Sequence, residues 1–272
     1  MCGECTIKRK VYIMVKTFEI KNIVMGAGMP KVCIPLMGKT EDEIIFEAEK
    51  IASAKDANID MVEFRGDYYQ DLEDMDKLSA VLSKLQFIFK DKILLFTIRS
   101  NKEGGEKLSF TTPTVNDINL HVVKNKLADM VDVELYSGDE AITDIIRASK
   151  ESGVKIIMSN HDFNATPSKD IIIERLTRMQ ELGADIAKIA VMPQSKQDVI
   201  ILQEALCYIH ESSDTTPLVG ISMGKLGAIS RIAAQVFGSA MTFATLGKAS
   251  APGQIPVEDL NQALSIINQY TT

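Results

Sequence analysis

Lys188 stands where a lysine is costly. In GADIAKIAVMP (183–193) it lies inside an apolar, strand-like run, with Ile186 and Ala190 two residues away on what should be the same face. An isolated ammonium in a low-dielectric interior must find a carboxylate or lose its proton. A core lysine paired with an acid is one outcome. An amine kept neutral so that it can attack a carbonyl is the other. Further chemistry-bearing side chains sit at the ends of similar runs. His161 and Asp162 end VKIIMSNHDF (154–163), and Glu63, Arg65 and Asp67 alternate in IDMVEFRGD (59–67). Arg99 ends KILLFTIRS (92–100), Glu103 follows in NKEGGEK, and Asp132 and Glu134 share a face of MVDVELY (130–136). Arg231 falls in LGAISRIAAQVFGS, and Ser250 and Gln254 in the small, Pro/Gly-rich KASAPGQIP.

These residue types together fit imine chemistry. A neutral amine attacks a ketone and forms a protonated imine, an electron sink that acidifies the neighbouring C–H. A histidine with a pKa near working pH takes that proton and returns one to a leaving hydroxyl. Glu103 or a similar carboxylate would fix the imidazole tautomer, and an arginine fork would clamp a substrate carboxylate. Each residue also has an ordinary reading: solvated strand ends, a local ion-pair lattice in EFRGD, a satisfied histidine. His121 and His210 lie in helix-patterned stretches and are read as surface or packing residues. Convergence favours the chemistry, and arginines near Lys188 would disfavour its charged form. The expectation is an imine-based dehydratase or aldolase acting on an anionic, hydroxylated ketone.

Such residues need a scaffold that turns them to one mouth. Eight short apolar or β-branched runs recur: 31–36, 59–67, 92–100, 130–136, 154–163, 184–191, 216–223 and 240–247. Their spacing of about 30 residues suits a strand plus its crossover helix. Helix-patterned segments lie between them. One opens with Thr40 and Glu43 as a capping box, and another is read with Thr166 as cap, Pro167 at the first helical position and Gly183 as stop. The spacing predicts an α/β fold, a (β/α)8 TIM barrel whose chemistry lies at the C-terminal strand ends. A doubly wound sheet is the alternative, but no G-x-G-x-x-G turn follows the first strand. VKTFEI–KN–IVMG predicts an N-terminal β-hairpin closing the bottom of the barrel. No composition break divides residues 14–272, which read as one catalytic domain; residues 1–13 read as a poorly ordered extension.

Composition narrows the function classes. The 272 residues are 46% hydrophobic and 25% charged with a net charge of −7, so the excess of Lys and Arg that marks a nucleic-acid surface is missing. No apolar run reaches the ~18 residues of a membrane span, and Val11–Val15 is shorter than a ~7–15-residue signal core. A cytoplasmic protein is expected. Cys2 and Cys5 form a C-x-x-C without the second ligand pair a zinc site needs or the preceding strand a redox motif needs.

Six segments in order, EFRGDYY, FTIRSNKEGG, IMSNHDFNATP, ADIAKIAVMP, GISMGKLGAISRI and ASAPGQIPVEDL, resemble the motifs of type I 3-dehydroquinate dehydratases from about Met14 to the C-terminus. The resemblance implies dehydration of 3-dehydroquinate to 3-dehydroshikimate in the shikimate pathway, without metal or cofactor, in a (β/α)8 barrel that is commonly a homodimer. It implies Lys188 as the imine former, His161 as general acid/base and Glu103 as its support. Glu63, Arg65 and Arg99 would hold hydroxyls and shape the pocket, Arg231 would grip the carboxylate, and Ser250 and Gln254 would close over the substrate. Asp132 and Glu134 match a supporting polar pair. Phe64 stands where a tryptophan is common and Asn160 where a tyrosine often precedes the histidine. Another class I aldolase-type imine enzyme is the alternative.

Overall fold

A computed structural model of the chain describes residues 15–107, 112–212, 215–247 and 249–271. The extension expected at 1–13, with Cys2 and Cys5, lies outside them. Among the described residues eight parallel strands alternate with eight helices, as the spacing predicts, and a two-residue ninth strand, Ile255–Pro256, pairs parallel with the last of them. The strands are β3 (Lys31–Leu36), β4 (Met61–Arg65), β5 (Ile93–Thr97), β6 (Met130–Glu134), β7 (Lys155–Asp162), β8 (Ile186–Val191), β9 (Leu218–Ser222) and β10 (Met241–Thr245). They pair in the order β10-β3-β4-β5-β6-β7-β8-β9, every pair parallel. Helices α1 (Glu41–Ser53), α2 (Met75–Ile88), α3 (Thr112–Lys124), α4 (Asp139–Ser152), α5 (Lys169–Glu181), α6 (Lys196–His210), α7 (Ala228–Ile232) and α8 (Val257–Thr271) follow the strands in turn.

The ring closes differently at its last joint. Between β9 and β10 the closure is Ala240 N donating to Leu218 O at 2.7 Å and Gly220 N donating to the Ser239 hydroxyl at 2.9 Å. Farther up, Arg231 on α7 donates to Phe243 O of β10 at 3.4 Å.

Alternation along the strands separates packing from chemistry. Outward residues such as Val62, Phe64, Leu94, Phe96, Val131 and Val133 join the layer between strands and helices. Inward residues near the strand starts, Cys33, Met61, Ile93, Met130, Ile157, Ile186 and Met241, fill the barrel. On β4 to β8 the inward positions farther along include the polar Glu63 and Arg65, Thr97, Asp132 and Glu134, Ser159 and His161, and Lys188. The apolar lower layer supplies the stabilising burial, and the polar layer sits on it as a preorganised site.

The expected hairpin is present as β1 (Phe18–Ile20) and β2 (Ile23–Met25), joined at Lys21 and Asn22 with φ of 51° and 64°. That turn matches the twist of a two-residue hairpin. Its Met25 is fully buried among the lower barrel residues, and Phe18, Ile20 and Ile23 pack beside it, so the hairpin plugs the bottom.

Two local readings are corrected. Thr40 does accept from Glu43 N, but the Glu43 carboxylate reaches back to Lys39 N, so only half of the capping box forms. Helix α5 starts at Lys169 after Ser168, not at Pro167, and the Thr166 hydroxyl is buried without a partner. The Thr166–Pro167 stretch is held instead as part of the loop after β7, where Asp162 accepts from Asn164 N and Ala165 N. Gly183, at φ 96°, ends α5 as expected.

Candidate active site

All nine candidate site residues line one pocket at the C-terminal mouth: Glu63, Arg65, Arg99, Glu103, His161, Lys188, Arg231, Ser250 and Gln254. With its mouth the pocket encloses about 500 Å³. Ala190, Ile221, Met223, Phe163 and Phe243 form its apolar wall. Phe64 lies outside the barrel wall, packed against Tyr69 and Phe96 with ring centroids 6.2 and 6.0 Å away. That departure from the family pattern therefore touches packing rather than the pocket.

Lys188 is both paired and placed at the pocket. Its Nζ lies 3.2 Å from Asp132 Oδ2 and 4.7 Å from the centre of the Phe243 ring. The expectation of an amine without an acidic partner is thus corrected. Asp132 sits on the inward face of β6, two strands away; Lys188 reaches it across Ser159 of β7, and Arg99 reaches it from the neighbouring β5 side. Burial alone would raise the Asp132 carboxyl, but Arg99, Lys188 and the Ser159 hydroxyl outweigh it and hold the group below its ordinary range. A permanent carboxylate and an aromatic face therefore surround the lysine nitrogen. Both stabilise positive charge at that atom.

The arginines differ in their company. Arg65 donates twice to Asp67, at 2.8 and 2.7 Å, and Asp67 also accepts from Arg99 N and Glu106 N. Arg99 meets Asp132 at 2.9 Å, Glu134 at 3.0 Å and Ser159 at 2.9 Å, so Asp132 and Glu134 anchor it. Arg231 is 1% exposed and donates only weakly to the carbonyls of Phe243 and Pro252, with its Nε unpartnered. Burial with no carboxylate to offset it lowers this guanidinium to about 10. It is still charged at neutral pH, and among the described residues nothing anionic answers it. An uncompensated buried cation lining a pocket is a seat for an anion.

His161 and Glu103 form a tight pair. Glu103 Oε2 accepts from the His161 backbone N and lies 2.9 Å from its Nδ1. A carboxylate can only accept there, so Nδ1 carries the proton and Nε2 presents a lone pair. Burial and the charges of Arg99, Lys188 and Arg65 push the imidazole well below its usual range, which makes it neutral in the resting site. A pKa near working pH is therefore not what the site provides; it provides a base that is ready at neutral pH. Burial and the nearby Glu134 push the Glu103 carboxyl up to about 7. Protonation of Glu103 removes the acceptor that fixes the imidazole, so with His161 as the base kcat/KM is expected to fall roughly tenfold per pH unit below about 7 and to level off above it. A pH–rate profile checks this, and a flat rate from pH 8 to pH 5 refutes it.

The last loop is folded over the pocket. Gln254 accepts from Ser250 N at 2.8 Å and donates to the Ser250 hydroxyl at 3.0 Å, while Gly224 N donates to Pro252 O. Gly253, at φ 77°, passes so close to Gly224 O that a Cβ there would lie 2.3 Å from it.

Residues 32–271 match the family model described as type I 3-dehydroquinase. The chain belongs to the type I 3-dehydroquinase family. Its activity is that of the family, a lyase-class dehydration in the shikimate pathway, and the aldolase-type alternative is not favoured. The chain is 42% identical to the 3-dehydroquinate dehydratase of Clostridioides difficile strain 630, covering 97% of this chain and 99% of that one. It is 43% identical to the same-named protein of Klebsiella pneumoniae strain 342, over 94% and 100%. Among solved structures it is similar to the type I 3-dehydroquinate dehydratase of Clostridium difficile with covalent modified comenic acid. That likeness has TM-score 0.89 and 42% identity, and covers 94% of this chain and all of that one.

In this type I 3-dehydroquinase, several site residues escaped the motif reading. Ser159 links Asp132 and Arg99, Thr97 donates to Glu63 at 3.0 Å, Phe243 lies against Lys188, and Asn160 donates to Glu103 at 2.9 Å. Ser159 and Thr97 share inward parity with His161 and Arg99, and that parity is the signal available for them; the strand that carries Phe243 holds no candidate to set its parity. Asn160 faces away from the barrel axis, and the sequence marks it only as a departure from the family's common tyrosine, not as a partner of Glu103.

Proposed function

We propose that Lys188 forms an imine with 3-dehydroquinate and that His161, held by Glu103, moves the protons that convert it to 3-dehydroshikimate. The observation that carries this is the setting of the Lys188 nitrogen, where Asp132 and Phe243 stabilise positive charge. A protonated imine keeps that charge on the same atom, so the pair that holds the resting lysine also stabilises the intermediate.

The Lys188 ammonium gives its proton to solvent, the free amine attacks the ketone carbon, and the carbinolamine takes a proton back as it loses one water, which leaves the protonated imine. His161 Nε2 then takes a proton from the adjacent carbon, and the C–H electron pair moves into the imine as an enamine. That pair returns to expel the hydroxyl from the next carbon, protonated by His161 as it leaves. Water hydrolyses the product imine, so one water is lost overall. Glu63, Arg65 and Arg99 line the path of the hydroxyls, Arg231 takes the carboxylate, and Ser250 and Gln254 cover the ring.

The test is turnover of 3-dehydroquinate together with borohydride reduction and mass spectrometry. A reduced adduct on the Lys188 peptide is expected; neither turnover nor adduct overturns the reading. Arg231→Ala should raise KM for 3-dehydroquinate about 10–100-fold with a smaller fall in kcat, the loss expected of a charge-assisted hydrogen bond. Steady-state kinetics checks it, and an unchanged KM removes Arg231 from the carboxylate site.

The proposal extends to a single catalytic domain over 14–272, acting as a homodimer in the cytoplasm. The family resemblance supports the dimer, which light scattering checks. Among the described residues no helix is long and apolar enough to cross a membrane.

A further inference from the structure

Asn160 and Arg175 take no part in the proton transfers above, yet they form a chain that ends on the catalytic pair. Arg175 on α5 donates from Nη1 to Asn160 Oδ1 at 2.8 Å. With its carbonyl oxygen engaged, the Asn160 amide must turn its NH2 to the other side. There Nδ2 donates to Glu103 Oε1 at 2.9 Å. Glu103 in turn accepts from the His161 backbone N and Nδ1 through its other oxygen. Each carboxylate oxygen thus has its own partner, and the plane of the carboxylate is fixed by two elements, β7 and α5. Asn160 is 4% exposed, so water does not supply a substitute donor.

We infer that Arg175 and Asn160 are positioning residues that orient Glu103 and set its protonation, and through it the pH range over which His161 works. This rests on the assignment of Glu103 and His161 given above. The direction follows from the groups around the carboxyl. From β5 and its following turn come Arg99, with Nη1 3.7 Å away, and Lys102; from β6 come Glu134 and Asp132; from β7 come His161 and Asp162; from α5 comes Arg175. Burial and Glu134 act against the ionised form, while Arg99 and the Asn160 amide favour it. Asp162 lies 4.0 Å from the same Arg175 nitrogen that donates to Asn160 and offsets its charge. Removing the amide therefore makes Glu103 harder to ionise. Removing Arg175 lets the amide rotate and present its oxygen, with the same sign of effect.

The experiment is the pH–rate profile of Asn160→Leu and Arg175→Met against the parent and Glu103→Gln. The acid limb should move upward by about one pH unit in both variants, with kcat/KM at pH 7 lower by up to about tenfold and recovered above pH 8.5. The double variant should be no worse than Asn160→Leu alone, because Arg175 acts through Asn160. In Glu103→Gln the limb itself should vanish, and adding Asn160→Leu should then change nothing. A limb that persists in Glu103→Gln overturns the role of Glu103. A limb lost in Glu103→Gln but unmoved in Asn160→Leu and Arg175→Met overturns this inference alone. Arg175 is partly exposed on its helix, so Arg175→Met decides the matter even if Asn160→Leu fails to fold.

Discussion

Lys188→Ala should lose at least about 10⁴-fold in kcat and give no borohydride-reducible adduct with 3-dehydroquinate. Removing the nucleophile of a covalent mechanism leaves only binding and charge stabilisation, which is the scale of loss seen when such a group is deleted. The fold should survive. Asp132 would lose one cation but keep Arg99 at 2.9 Å and the Ser159 hydroxyl at 2.5 Å. Removing one partner of a buried ion pair costs about 3–5 kcal/mol when the other charge is left uncompensated, so with Arg99 and Ser159 still on Asp132 a cost nearer 1–2 kcal/mol is expected. Circular dichroism and thermal melting check the fold, and intact-mass spectrometry checks the adduct. A Lys188→Ala protein that still turns over substrate above about 1% of the parent rate would end the covalent mechanism. Lys188→Met repeats the test with the packing against Phe243 largely retained.

His161→Ala should behave in the opposite way toward the adduct. The amine and the Asp132 carboxylate beneath it are untouched, so the imine forms and accumulates. Its conversion stalls because no group is left to take the neighbouring proton, and turnover falls by about 10²–10⁴-fold, the contribution of a positioned general acid/base. Reduction should therefore trap more adduct than in the parent enzyme under turnover. If nothing is trapped, the division of roles between Lys188 and His161 is wrong, and the histidine is needed for imine formation itself. Glu103 gains freedom in this variant but keeps Asn160 as a donor, so the pocket should not rearrange.

The barrel was readable because its signal is repetitive. Eight apolar runs at even spacing admit few topologies, and each run from KVCIPL to AMTFATLG contains a strand of the ring. The site was readable where polarity broke that rhythm. A lysine in IAKIAV or an arginine after FTI stands out because its neighbours are apolar. What stayed hidden was partnership. Nothing in the one-dimensional pattern says that Asp132 lies beneath Lys188, since the two are 56 positions apart and meet only through the curvature of the sheet. Convergent arginines argued for a neutral amine, but Arg65 is spent on Asp67 and Arg99 on Asp132 and Glu134, which leaves far less free positive charge than a count suggests. The start of α5 was misplaced for a local reason. A Thr-Pro pair also suits a loop, and the Asp162 side chain at the end of β7 organises that loop.

The joint between β9 and β10 has a mechanical consequence. Elsewhere adjacent strands are zipped by rows of amide bonds, whereas here two contacts near the base and one guanidinium higher up do the fastening. Parting the upper edge thus breaks few bonds, and the side chain that spans it belongs to the residue assigned to the incoming anion. The breathing of this wall and the arrival of cargo are therefore mechanically linked, and deuterium uptake at the upper end of β10 should be the place where an empty enzyme and a loaded one differ most.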